Sequence, residues 1–281
     1  MMVRRRTNAG RLRPGFAERY GAWALVAGAS EGLGAAYARA LAERGMNLVL
    51  VARRKAVLDK LAEELRGTFG VEVFCCDGDL AVSGFLETLQ AACSSLDVGL
   101  IVYNATHAPV GEFASAAVED LMRVVDVNVR APVALLRAFL PPMTLRGRGA
   151  VVLMTSLAGN QGAPRIAAYA ASKAFTRVLA EGLWHELENL GIDVIACCAG
   201  AIRTPGYAMA AGEDAPGTLD PEKVVEQALS ALGRGPVVIP GFVNRAANIF
   251  MSRLLPRRTA IAIMAGSTGS LAPAKETKGE S

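Results

Sequence analysis

Short runs that are apolar at nearly every position alternate with stretches of helical spacing along this chain, and that alternation restricts the fold more than any other feature. Residues 47–52 read Asn-Leu-Val-Leu-Val-Ala and residues 150–155 read Ala-Val-Val-Leu-Met-Thr. A strand that is apolar at every position must bury both faces, which an antiparallel sheet with one wet face does not require. The spacing predicts strands at 22–27, 47–52, 71–76, 99–103, 150–155, 193–198 and 236–239. It predicts helices at 33–44, 56–69, 85–94, 118–140, 169–189 and 221–232, with Pro141 and Pro142 ending the fourth. Strands joined by helical crossovers imply an α/β fold with a doubly wound, mostly parallel sheet of about seven strands and helices on both faces.

The chain has 281 residues, enough for one α/β domain or two small ones. No linker-like composition shift separates a second unit, so 17–265 is expected to be a single domain. It would be flanked by a disordered basic arm over 1–16 and a disordered tail over 266–281. Apolar residues make up 52 % and charged residues 20 %, which supplies a large core. A net charge of +4 and only two tryptophans give no basic-aromatic pattern for nucleic acid. The cysteines, Cys75, Cys76, Cys93, Cys197 and Cys198, lack C-x-x-C spacing and read as small apolar core residues of a reducing, cytoplasmic protein. With two histidines and no H-E-x-x-H pattern, no metal site is expected. No secretory signal follows the basic amino terminus, and no run is long and apolar enough for a membrane span.

A glycine turn, GASEGLG over Gly28–Gly34, follows the first strand and opens the first helix. Backbone amides at such a helix start suit a pyrophosphate. The spacing is G-x-x-x-G-x-G, and by itself it also fits a tight structural turn. The end of the second strand reads the adenosine ribose in this architecture, where a carboxylate would bind the 2′-hydroxyl. Here Arg53, Arg54 and Lys55 stand there instead, and guanidinium forks suit a phosphate. With Ser30 inside the turn adding a hydroxyl, NADP(H) is favoured over NAD(H), although Arg54 and Lys55 also read as solvated bases. Asp79, with Asp77 as its rival, is placed to accept from the adenine amino group, and Asn104 to lie along the ribose edge.

Tyr169 and Lys173 are four residues apart in AAYAASKAF and share one face of a helix. An ammonium beside a phenol favours the phenolate, so the tyrosine pKa is expected to fall toward working pH and suit it to move protons. With Ser156 upstream and a dinucleotide turn, the pattern points to hydride exchange between a nicotinamide and a carbonyl or alcohol. Seen alone, the Tyr/Lys pair is equally an ordinary helix contact.

These motifs, in this order with YNAT (103–106), DVNVRAP around Asn128 and AGAIRT (199–204), resemble the short-chain dehydrogenase/reductase family over about residues 20–241. AYARALAERGMNLVLVARR is similar to the branch with hydroxysteroid dehydrogenases and 3-ketoacyl-CoA reductases. The resemblance implies a Rossmann-type fold and a tetrad of Asn128, Ser156, Tyr169 and Lys173. Ser156 would bind the substrate oxygen and Tyr169 would exchange its proton. Lys173 would hold the nicotinamide ribose, and Asn128 a water leading to solvent. It also implies cofactor contacts at Gly28, Ser30, Gly32, Leu33, Gly34, Arg53, Arg54, Asp79, Leu80, Asn104, Tyr169, Lys173, Ile202 and Thr204. The chain departs from the family pattern at Tyr103, Thr106 and Ala199, where asparagine, glycine and proline are usual. These changes put the local loop shape in doubt and leave the tetrad intact.

Residues 205–220 stand where the family carries a substrate lid, and their apolar first half favours a hydrophobic substrate such as a steroid, acyl chain or aromatic ketone. Residues 242–265 mix apolar side chains with Arg245, Arg253, Arg257 and Arg258. They fit a cap over the pocket, a subunit contact or, less favoured, a membrane-surface segment. A homodimer or homotetramer is what the resemblance implies. His107 reads as a residue of the substrate mouth and His185 as pointing away, and both equally as ordinary surface histidines. The competing functions are an NADP(H)-binding sensor without turnover and a membrane-surface lipid ketone reductase with the same chemistry. A Ser/His hydrolase is disfavoured because Ser156 lacks G-x-S-x-G.

Overall fold

The structure, a computed structural model, describes residues 15–211, 214–269 and 271; most of the expected basic arm and of the expected tail lie outside the described residues. Seven strands form one sheet: β1 (Trp23–Ala27), β2 (Asn47–Ala52), β3 (Val73–Asp77), β4 (Val98–Tyr103), β5 (Gly149–Ser156), β6 (Ile192–Ala199) and β7 (Val237–Val238). Their order is β3-β2-β1-β4-β5-β6-β7, and every neighbouring pair is parallel. The expected doubly wound sheet is therefore present.

Apolar side chains alternate between two cores because successive residues of a strand point to opposite faces. Leu48, Leu50, Leu100, Val102 and Val152 enter one core, whereas Val49, Val51, Ile101, Val151 and Leu153 enter the other. Each such side chain, taken fully from water, stabilises the fold by about 1.5–3 kcal/mol before chain entropy is subtracted. The helices that cover the faces are α1 (Phe16–Tyr20), α2 (Gly32–Glu43), α3 (Lys55–Phe69), α4 (Phe85–Ala92), α5 (Val118–Val125), α6 (Ala131–Arg146), α7 (Ala167–Leu187), α8 (Pro205–Ala211), α9 (Pro221–Ala231), α10 (Phe242–Ile249) and α11 (Arg257–Gly269).

Three expectations need correction. The helix expected over 118–140 is interrupted by a π turn at Asp126–Arg130 and continues through Pro141 and Pro142 to Arg146. Both prolines lie on the exposed side, while Met143 next to them is fully buried. The Ala138 carbonyl, which Pro142 cannot serve, accepts instead from Gln90 Nε2 at 3.4 Å. At the amino end, Phe16 belongs to α1 and stacks edge-on against buried Tyr20, so the first helix starts within the expected arm. At the other end, α11 runs four residues past 265, and its last carbonyls are held by Arg165.

The strand order reverses between β1 and β4, and ligands of such sheets bind beyond the carboxyl ends of the strands at that reversal. Gly28, Asn104, Ser156 and Ala199 all lie at those ends.

Candidate active site

The glycine turn has the shape its sequence demands. Gly28 and Gly32 adopt φ of 82° and 54°, where a side chain is strained. A Cβ on Gly34 would lie 1.9 Å from the Gly28 carbonyl oxygen, and one on Gly28 would lie 2.7 Å from the Ala105 backbone. Asn104 closes the turn: its Nδ2 donates to Gly28 O at 3.0 Å. No side chain caps the first turn of α2. A twelve-residue helix start with glycines and uncapped amides fits a pyrophosphate. Leu33 is buried beneath the turn, and the Thr204 methyl would lie 3.0 Å from a Cβ on Gly32. Thr204 Oγ1 accepts from Tyr207 N at the start of α8, and Ile202 bridges to Leu219.

Past β2 the three bases separate. Arg54 pairs with Glu31 at 2.9 Å and donates to Ser30 Oγ at 3.2 Å. Lys55 pairs with Asp59 at 2.9 Å. Arg53 is exposed and has no hydrogen-bond partner among the described residues. Glu31 was not singled out in the sequence, although its place inside GASEGLG was the available signal.

The Asp79 carboxylate is already engaged. Arg123 donates to Oδ2 at 2.5 Å and Ala81 N to Oδ1 at 3.0 Å. Partial burial opposes ionisation of this carboxyl, but the Arg123 and Ala81 hydrogen bonds prevail and hold its pKa below the usual range. Leu80 beside it is buried in the sheet core.

Ser156 ends β5 and opens a 3₁₀ turn, Leu157–Asn160, with its Oγ accepting from Ala158 N at 3.2 Å. Tyr169 and Lys173 rise from the first two turns of α7. Lys173 is 5 % exposed; its Nζ donates to Met154 O at 3.0 Å and stands 5.5 Å from the centre of the Tyr169 ring. The expectation that this lysine drags the phenol's pKa down is not met. Burial raises the phenol, and the Ser156 side chain only partly opposes it. Burial also brings the lysine down to about 8. Desolvation disfavours both charged forms and is the leading cause for both groups. Thr155 Oγ1 donates to Lys173 O at 2.7 Å, anchoring α7 to β5.

Asn128 lies in the π turn and is 2 % exposed. Its side-chain amide is spent on the protein. Nδ2 donates to His107 O at 2.9 Å and Ser172 Oγ at 3.0 Å, while Oδ1 accepts from His107 N at 2.8 Å and Thr106 Oγ1 at 3.4 Å. Ser172 Oγ in turn donates to Tyr169 O at 2.7 Å. Asn128 thus ties the loop after β4 to the helix that carries Tyr169. Its backbone carbonyl accepts from Thr176 Oγ1 at 3.4 Å. His107 is held by its backbone, with its ring 3.2 Å from Asp120; His185 is exposed beside Glu188.

Above this floor lies a roof of later segments. Arg203 pairs with Asp214 and Asp220, both at 2.6 Å, within the segment expected to be a lid. In α8, Met209 is 78 % exposed. Met264 and Leu271 pack with Val110, Ala163, Ile166 and Tyr169 in a small separate core. Arg257 donates to Asn160 O at 2.6 Å, and Arg165 to Thr268 O at 3.0 Å and Gly269 O at 2.7 Å. Arg165 is the one non-glycine described residue with positive φ, at 64°. None of these arginine clamps was anticipated, because each partner is distant in sequence.

Comparison with known proteins agrees with this geometry. The family model described as short chain dehydrogenase matches residues 22–214. The 7β-hydroxysteroid dehydrogenase of Clostridium sardiniense is 34 % identical over 82 % of this chain and 89 % of its own. A solved 7β-hydroxysteroid dehydrogenase superposes with a TM-score of 0.84 at 31 % identity, covering 89 % of this chain and 99 % of that one. A short-chain dehydrogenase from Sphingobium yanoikuyae, solved in complex with NADPH, gives a TM-score of 0.73 at 35 % identity, covering 80 % of this chain and 90 % of that one. The chain belongs to the short-chain dehydrogenase/reductase family and is an oxidoreductase of that family.

Proposed function

We propose that this protein exchanges hydride between NADP(H) and the carbonyl or secondary alcohol of a hydrophobic substrate, with a ring-fused ketone such as a steroid as the first choice. What carries the reading is one cluster: Ser156, Tyr169 and buried Lys173 stand together at the carboxyl ends of the strands, near the glycine turn. Bound nicotinamide supplies or accepts the hydride. The rest belongs to the chain. Ser156 donates to the substrate oxygen, and Tyr169, kept protonated by burial, gives that oxygen its proton during reduction. Lys173 holds the nicotinamide ribose and replenishes the tyrosine proton. The Asn128 carbonyl holds the water that connects Lys173 to solvent. Asn104, Ile202 and Thr204 line the ribose and carboxamide end.

Preference for NADP(H) rests on exposed Arg53, which is hydrogen-bonded to none of the described residues although its charge acts on Asp79, on Arg54 beside Ser30, and on the NADPH complex of the Sphingobium relative. The Arg123–Asp79 pair still leaves Asp79 lone pairs to accept from an adenine amino group. The steroid preference rests on the apolar roof and on what the similar dehydrogenases are named for. Exposed Phe175 and Val178 on α7 and Met122 on α5 support a homodimer or homotetramer. Five unpaired cysteines fit a cytoplasmic location. Among the described residues no helix is long and apolar enough to cross a membrane.

The test is a panel of 7-ketosteroids, long-chain 3-oxoacyl thioesters and bulky aryl ketones, followed by loss of reduced-nicotinamide absorbance with NADPH and with NADH. Turnover of a steroid ketone with NADPH is expected. Absence of turnover across the panel, with NADPH still bound, would favour the sensor reading.

A further inference from the structure

We infer that Tyr103, where the family usually carries asparagine, is a positioning residue that sets the Asn128 turn; the inference rests on the proposed role of Asn128. The π turn at Asp126–Arg130 leaves one carbonyl in difficulty. The Ala131 amide, which would serve Val127 O in an α-helix, donates to Asp126 O. The next amide along, at residue 132, does not exist, because that residue is proline. Val127 is buried, so water is no substitute. Tyr103, at the end of β4, fills the gap: its hydroxyl donates to Val127 O at 2.5 Å. Burial keeps that hydroxyl protonated and therefore a donor.

Thr106, a second departure from the family pattern, points its hydroxyl to Asn128 Oδ1 at 3.4 Å. Two hydroxyls, one from the end of β4 and one from the loop that follows it, thus hold adjacent residues of the same turn. Interruptions of this kind, where a helix widens by one residue, occur often at functional sites because they redirect a backbone carbonyl. Tyr103 supplies what Pro132 withholds, and so fixes the turn that aims Asn128 at Ser172 and leaves its own carbonyl free of the α6 ladder.

Tyr103→Phe deletes only the hydroxyl and keeps the buried ring. Hydrogen exchange followed by mass spectrometry on the full chain reads the turn without substrate. Amides of residues 126–131 are expected to exchange on the order of tenfold faster, with the glycine turn unchanged. With NADPH and the fastest ketone of the panel, kcat is expected to fall about tenfold while NADPH affinity is unchanged. In an Asn128→Ala background the same deletion should cost less than about twofold, since the side-chain amide that ties this turn to Ser172 and to the loop after β4 is already gone. An equal loss in both backgrounds, or unaltered exchange and kcat, would overturn the inference alone. If Asn128→Ala itself turned over like wild type, the reading of Asn128 would fall and this inference with it.

Discussion

The floor of the site and its roof are built on opposite principles. Lys173, Asn128 and Thr176 on the floor are buried, and their polar atoms are committed to named partners from β4, β5 and α7. The roof, made of α8, α10 and α11, leaves Met209, Phe242 (77 % exposed) and Ile249 in the open. It is attached by arginines at its edges. A floor that is fully satisfied holds one geometry for proton transfer. A roof held by a small apolar core and a few arginine clamps is expected to adapt to substrate shape with less effect on the chemistry. Substrate choice and reaction type are therefore expected to respond to different residues.

The largest expected effect on the floor is from Tyr169→Phe. Losing the proton donor should lower kcat about 10³-fold, while NADPH binding, followed by fluorescence, stays near wild type. Near-normal turnover would remove the phenol from the mechanism.

Arg53→Asp should weaken NADPH by roughly 10–100-fold while barely changing NADH, because a charge-assisted contact to phosphate is lost. Parallel losses for both cofactors in a competition titration would show that Arg53 does not read the 2′-phosphate.

A pH series comes next. Lys173 carries its proton below about 8 and loses it above, whereas burial keeps Tyr169 protonated well beyond that. The kcat/KM for ketone reduction should be level near neutrality and decline through about pH 8. Lys173→Met should abolish that limb along with most activity. It should also unfold at a higher temperature than wild type at pH 7, where the wild-type lysine is charged and buried. The sign follows from a pKa lowered on folding: the burial cost is present below the folded pKa and disappears as pH rises toward the unfolded value. A less stable Lys173→Met would mean that the Met154 hydrogen bond outweighs the buried charge.

The roof should give the smallest effect. Arg165→Ala removes the clamp on α11 and should raise KM for a steroid ketone about three- to tenfold while leaving kcat within about twofold. A matching loss in kcat would mean that floor and roof are one unit, and the contrast between them would fail.

Much of the floor was legible beforehand because its residues are close in sequence or sit at forced places. Tyr169 and Lys173 are one helical turn apart, and the glycine turn declares a strand-to-helix corner through residues that tolerate no side chain. The arginine clamps were not legible. Arg165 meets Gly269 across 104 residues and Arg123 meets Asp79 across 44, and no spacing rule relates such pairs. The π turn was hidden for a similar reason. Its sequence has unbroken helical spacing, and the hydroxyl that completes it comes from a strand 24 residues earlier.

Local pattern alone determined the layered sheet and its parallel sense, since period and apolar content settle which faces must be covered, and it put Tyr169 and Lys173 on one helix face. Protonation was decided only by tertiary structure. Whether an ammonium lowers a neighbouring phenol's pKa depends on how much water each keeps, and folding buries Lys173 almost fully and Tyr169 in part. The free or occupied state of Arg53, Arg54 and Asp79 was settled the same way, by partners that come within reach only when the sheet is assembled.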